Sequence, residues 1–204
     1  MIRAAVLASG EGSRLQAILD AMYFKEIPEF ELVAVICPRR EDYAMTRAAN
    51  AGVPAYVVDP ELFPNMTSHS MAVANKLKDM DIELVILAGY DLPLGVVPYQ
   101  FRNHIIGTYP ALSPAFEDVE GDVNRAVLER GVKVTGATAF FADGDGGVGG
   151  IILQKAIDVL PDDTPESLST RVMVECEWKL LSRAAALYCD GKLEIHGKRV
   201  IVKE

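Results

Sequence analysis

Cysteine, histidine and tryptophan are scarce in this chain, which carries three, three and one of them among 204 residues. Cys37, Cys176 and Cys189 are odd in number and lack the spacing of a metal knuckle, so they read as reduced cytosolic thiols and the expected location is cytoplasmic. His69, His104 and His196 stand far apart, so no metal site assembles locally and none is expected. Positive charge is short as well. Twenty Lys and Arg face 29 Asp and Glu, for a net charge of −9. That balance argues against a nucleic-acid surface or a polybasic membrane patch, and leaves a small phosphate at a local positive spot as the compatible anion. No apolar run approaches the ~20 residues that span a bilayer, and Met1–Ser9 is too short for a signal-peptide core before the chain enters a glycine turn.

What the chain does have is a βαβ rhythm. Apolar runs of strand length at Ala4–Ala8, Leu32–Ile36, Ala55–Val58 and Leu84–Ala88 alternate with helical patterns at Ser13–Met22, Asp42–Ala51 and Thr67–Asp79. This predicts parallel strands with helices on both faces. The second half is less regular. Strands are expected at Ile105–Thr108, Thr135–Phe141, Ile151–Val159, Leu193–His196 and Val200–Val202, with a short helix at Val123–Glu129. Thr164 and Pro165 are placed as N-cap and first residue of a long helix reaching Tyr188. The fold class is α/β, and no repeat or linker divides the chain.

Several segments carry chemistry. Ser9-Gly10-Glu11-Gly12-Ser13-Arg14 joins a strand to a helix, where glycines allow close backbone approach and the helix start offers free N–H groups. It reads as an anion or phosphate site or as a bare tight turn. Leu15 replaces the third glycine of a dinucleotide fingerprint, and the Gly-Lys-Ser/Thr ending of a P-loop is absent. Arg39 and Arg40 follow the second strand, as a solvated pair or as partners of a 2′-phosphate. Tyr90, Asp91, Leu92, Pro93 and Leu94 suit the wall of a flat-ligand pocket or simple packing. The run Asp143–Gly150 holds Asp145 and five glycines, and reads as a mobile lid. Glu175 and Glu177 are a solvated pair or a ligand anchor. Ile105–Pro114 has prolines at both ends of a short loop, so its backbone is stiff at a strand end that faces a crevice, yet Gly107, Thr108 and Tyr109 supply no base at neutral pH.

Together these segments resemble the phosphoribosylglycinamide formyltransferase (glycinamide ribonucleotide transformylase) family over nearly the whole chain. Ala5–Ile18 is similar to that family's "V-L-x-S-G-x-G-S-N-L-Q-A-I", Leu84–Tyr90 to its "V-V-V-L-A-G-F", and Pro161–Leu168 and Asp190–Leu193 to its tail. The resemblance implies a three-layer, mostly parallel, seven-stranded twisted sheet over residues 1–204, with a phosphate-binding half at 1–100 and an active-site half at 101–204. It implies a ribonucleotide phosphate on the loop Gly10, Glu11, Gly12, Ser13 and Arg14, with Pro110 and Glu177 on the rest of that substrate. It also implies 10-formyltetrahydrofolate in a pocket of Tyr90, Asp91, Leu92, Leu94, Gly107 and Phe141.

The family's catalytic segment reads "N-I-H-P-S-L-L-P". Here Gly107 stands for its Asn and Tyr109 for its His. Its "M-R-I-L" is Asp91–Leu94, and its "H-x-V" strand end is Phe140-Phe141-Ala142. Its Asp matches Asp145 with a two-residue shift, or Gly147 without one. Glu177 matches a ligand-binding Glu counted back from Asp190-Gly191, while counting forward needs a one-residue gap. Two functional readings follow: a one-carbon transferase of purine biosynthesis with altered chemistry through Tyr109 and Asp145, or a non-catalytic sensor of a phosphorylated metabolite. NADP on Gly10–Arg14 with Arg39 and Arg40 is a third. The expected oligomeric state is monomer or homodimer.

Overall fold

The computed structural model describes residues 1–144 and 146–203. In chain order they form β1 (Ile2–Ala8), α1 (Ser13–Tyr23), β2 (Phe30–Cys37), α2 (Tyr43–Asn50), β3 (Ala55–Val57), α3 (Met66–Asp79), β4 (Leu84–Ala88), α4 (Val97–Gln100), β5 (Ile105–Tyr109) and α5 (Val123–Arg130). There follow β6 (Val134–Asp143), β7 (Gly147–Asp158), α6 (Pro165–Arg171), a π-helical segment (Val172–Glu177), α7 (Trp178–Cys189), β8 (Leu193–His196) and β9 (Arg199–Val202). All strands join one sheet in the order β3-β2-β1-β4-β5-β6-β7-β9-β8. Pairing is parallel from β3 through β5, antiparallel at β5–β6 and β6–β7, parallel at β7–β9 and antiparallel at β8–β9.

The central strands are apolar throughout because both faces are covered. From β1, Ala4, Val6 and Ala8 pack under α1, α2, α5 and the α6–α7 helix, while Ala5 and Leu7 face α3 and α4. The long helix starts as its sequence predicts. Thr164 caps it reciprocally with Ser167, and Pro165 opens it.

Two expectations change. Nine strands form the sheet rather than seven, because the C-terminal hairpin docks on β7 through Ile151 and Arg199. Gly150 makes room for it, since a Cβ there would stand 2.8 Å from Val200 Cγ2. The glycine run is also mostly strand, not lid. Gly147–Gly150 lie in β7, and the β6–β7 pairing shifts register near Phe140. A Cβ on Gly149 would meet the Phe141 carbonyl oxygen at 2.6 Å, so that glycine permits close strand approach at an irregular pairing. Asp145 lies outside the described residues.

Candidate functional site

The loop from β1 to α1 is held from below by α2. Gly10 N–H donates to Asp42 Oδ1 at 2.8 Å, Arg39 N–H donates to Asp42 Oδ2 at 3.1 Å, and Ala44 N–H returns a bond to the Gly10 carbonyl at 3.1 Å. Arg47 Nε donates to the Glu11 carbonyl at 2.7 Å. Gly12, the N-cap of α1, has φ 64° and ψ 32°, and a Cβ on it would lie 2.8 Å from both Cα and Cβ of Ala44. Backbone conformation and space both demand glycine there. No side chain caps α1 and no acid stands in its first turn. Among the described residues nothing accepts from the N–H groups of Gly12, Ser13 or Arg14. A rigid helix start with unmet donors favours an anion.

Arg14 does not extend over those donors. Its guanidinium turns to the π segment, where Nε and Nη2 form a fork with Glu177 at 3.0 and 2.6 Å. Glu177 is 1% exposed and also accepts from Thr108 Oγ1 at 2.9 Å. The structure thus joins a residue of the presumed phosphate loop to the presumed substrate anchor. The remaining nitrogen, Nη1, has no acceptor among the described residues and lies 3.5 Å from where a Gly89 Cβ would be. Ser13 Oγ points to Met173 Sδ, 3.2 Å away. The π geometry explains the counting problem at Glu177. A π turn holds one more residue than an α turn, so the helix absorbs an extra residue and still delivers the carboxylate to Arg14.

At the end of β5 the crevice wall is quiet. The Tyr109 hydroxyl donates to the Phe116 carbonyl. Burial, with the charges of Glu117 and Asp118, pushes its ionisation above the ordinary value of 10. Gly107 is buried, and its side-chain space is taken: a Cβ would lie 3.2 Å from Phe140 Cζ and 3.3 Å from Leu87 Cδ1. Pro110 is half-buried just beyond the strand. Behind it, Thr138 Oγ1 donates to the Ala111 carbonyl at 2.8 Å and accepts from Ser113 N–H at 2.9 Å. Gln154 Nε2 reaches both the Ser113 carbonyl and Thr138 Oγ1 at 3.0 Å. Thr138 is fully buried in this brace while Gln154 reaches it from the exposed side of β7, and neither residue carries a local sequence signal for the role.

The presumed folate wall divides. Tyr90 and Leu94 face the α3–α4 side together with Phe140 and Leu87, whereas Phe141 packs on the opposite face of the sheet. Leu92 is half-buried. Asp91 turns to the phosphate loop, where it accepts from Ser9 Oγ at 2.7 Å and from Arg39 Nη1 at 2.9 Å. Burial pushes its carboxyl up, but the bonds from Ser9 and Arg39 outweigh it and hold it below the ordinary 3.8. Arg39 is therefore tied to Asp91 while remaining partly exposed. Asp42, buried at the loop's base, carries no sequence signal beyond its place at the start of the expected helix Asp42–Ala51. Among the described residues no cluster of His, Cys, Asp or Glu can hold a metal ion, and no helix is long and apolar enough to cross a membrane.

A mostly parallel α/β sheet with a donor-lined helix start and an adjoining wall at the strands' carboxyl edge has the layout of a ligand-binding crevice. Comparison with known proteins narrows the class. A family model described as formyl transferase matches residues 2–185, and the chain belongs to that family. It is 31% identical over 180 residues to a phosphoribosylglycinamide formyltransferase of Bacillus subtilis, covering 87% of this chain and 91% of that protein. It is 33% identical over 205 residues to the human trifunctional purine biosynthetic protein adenosine-3, covering 99% of this chain. The chain spans only 14% to 20% of the length of such trifunctional relatives. The crystal structure of glycinamide ribonucleotide transformylase 1 from Symbiobacterium toebii superposes with a TM-score of 0.93 at 40% identity, covering 100% of this chain and 95% of that one. A formyltetrahydrofolate deformylase from Pseudomonas syringae shares the fold at 20% identity, with a TM-score of 0.90 over 100% of this chain and 66% of that one. The protein resembles the phosphoribosylglycinamide formyltransferases of purine biosynthesis.

Proposed function

We propose that this protein binds a phosphorylated ribonucleotide of the glycinamide type with its phosphate on the start of α1, and 10-formyltetrahydrofolate beside Tyr90 and Leu94. The observation that carries this reading is the set of unmet N–H donors at Gly12, Ser13 and Arg14 on a loop fixed by Asp42. Formyl transfer from such a complex rests on holding an amine against the formyl carbon, because positioning alone supplies a large share of a bimolecular barrier. The chain adds little acid–base help. Tyr109 is committed to Phe116 and gives up its proton less readily than an ordinary tyrosine, so it is less available as a base. Absence of an oxyanion donor costs about 10²–10³ in rate, and absence of a proton-transfer group about 10²–10⁴ more, though not additively.

That same commitment of Tyr109 favours the second reading, a binding module that senses the phosphorylated metabolite without turning it over. One set of measurements separates them. Calorimetry with glycinamide ribonucleotide, ribose 5-phosphate and 10-formyltetrahydrofolate should show phosphate-dependent binding that Gly12→Val abolishes. Single-turnover assays at high protein concentration then report slow formyl transfer for the first reading and none for the second. Absence of binding by any phosphorylated ligand overturns both.

A further inference from the structure

Two residues, each with a buried polar atom outside the hydrogen-bond network, line one slot. His69, on α3, is 1% exposed. Its Nε2 lies 2.9 Å from the Val58 carbonyl oxygen, which only accepts, so Nε2 carries the proton and Nδ1 presents a lone pair. Nδ1 is buried with no partner, and so is the Tyr90 hydroxyl. Both residues border the same narrow slot, with Ser70, Pro93, Leu94 and Val97. The Ser70 hydroxyl is already used, donating to the Thr67 carbonyl and accepting from Val96 N–H. The slot is too narrow for a water molecule, so the two orphans go unmet as the chain stands. Leaving a buried donor or acceptor without a partner is costly, so a ligand that met both would recover that cost.

The closing side chain is Leu94. It lies under the β6–β7 turn, where a Cβ on Gly146 would stand 2.8 Å from Leu94 Cδ1. A ligand entering from the wall proposed above for the folate ring requires Leu94 to move from this position.

We propose that the slot admits the edge of a heteroaromatic lactam, with His69 Nδ1 accepting from the ring N–H and the Tyr90 hydroxyl donating to the adjacent carbonyl. One acceptor and one donor on residues of the same slot match a cyclic amide, and mismatch a ring edge that carries an amino group instead of the carbonyl. The assignment makes His69 and Tyr90 specificity-determining residues. It rests on the folate reading and goes further, by naming which edge of the ring is read.

The test compares folic acid, which has the lactam edge, with its 4-amino analogue, which lacks it, by calorimetry on the full chain. Wild type should prefer folic acid by about tenfold or more, the worth of one matched buried hydrogen bond against an unmatched one. Tyr90→Phe and His69→Phe should each erase that preference while ribose 5-phosphate still binds as in wild type, which verifies the fold. Tyr90→Phe removes only an orphan group, so its melting temperature should be unchanged or higher. Equal affinity of wild type for the two pteridines, or a preference that survives both substitutions, overturns the slot and leaves the folate reading standing. If neither pteridine binds while ribose 5-phosphate does, both the slot and the folate reading fall, and the phosphate site remains.

Discussion

Restoring an asparagine at position 107 meets an obstacle that the structure makes measurable. The backbone of Gly107 has no positive φ, so the substitution costs no left-handed strain. The limit is space. A Cβ there stands 3.2 Å from Phe140 Cζ and 3.3 Å from Leu87 Cδ1, and the Asn amide must go further into the same volume. Phe140 is 5% exposed and fixed in the core on the α3–α4 side, so Gly107→Asn alone should destabilise by about 1–3 kcal/mol, the usual cost of overpacking. An imidazole has no atom where the phenyl Cζ stands. Phe140→His should therefore relieve the contact, and denaturant titrations of the four proteins in a double-mutant cycle should give a favourable coupling of about 1 kcal/mol. Adding Tyr109→His completes the segment that the family carries. With the fold intact and both ligands bound, the triple variant should transfer formyl groups at least about 10²-fold faster than wild type, the worth of one oxyanion donor. Purely additive stabilities would refute the packing argument. A folded, ligand-binding triple variant with no rate increase would refute the placement of the reaction at this strand end.

Three further outcomes follow from the loop and its supports. Gly10→Ala meets no atom within 4 Å and should cost only the left-handed conformation, about 1–2 kcal/mol, whereas Gly12→Ala adds overlap with Ala44 and should cost about 1–3 kcal/mol more by chemical denaturation. Arg14→Met leaves the Glu177 carboxylate buried with Thr108 alone, and thermal and urea unfolding should show a loss of about 3–5 kcal/mol, largely recovered by adding Glu177→Met. Asp91→Asn should cost well under about 1 kcal/mol, since the pair with Arg39 is half exposed and screened. Its folded-state ionisation is depressed, so the native advantage is complete above the ordinary carboxylate value and fades as pH falls through the lowered one. The melting temperatures of wild type and Asp91→Asn should differ at neutral pH and converge as the pH is taken below 3.8.

Strands buried on both faces, such as Leu84–Ala88, are legible because a continuous apolar run of that length between turn signals has few alternatives. The start of the long helix is legible for a local reason too: Thr164, Pro165 and Ser167 settle it among themselves. The glycines at 147–150 misled because flexibility and close packing call for the same residue, and only the approach of Phe141 and Val200 distinguishes them. Arg14 and Glu177 are 163 positions apart, so no local pattern joins them. Their meeting depends on how the last helix lies across the first. Tyr109 is similar: its sequence context speaks of a crevice, while the partner of its hydroxyl is fixed by the turn that carries Phe116.

The π segment Val172–Glu177 uncouples residue count from direction within a helix. Upstream of it the α6 face is registered on its cap, and downstream the α7 face is registered on the core, so the widened turn acts as an expansion joint between two fixed frames. Length variation should therefore concentrate there. Removing the exposed Val174 converts the wide turn into an ordinary one while both flanking faces keep their alignment. The same deletion within Leu180–Leu187 would rotate every buried residue after it by about 100°. A helix of this kind can gain or lose a residue beside its most buried carboxylate without moving it.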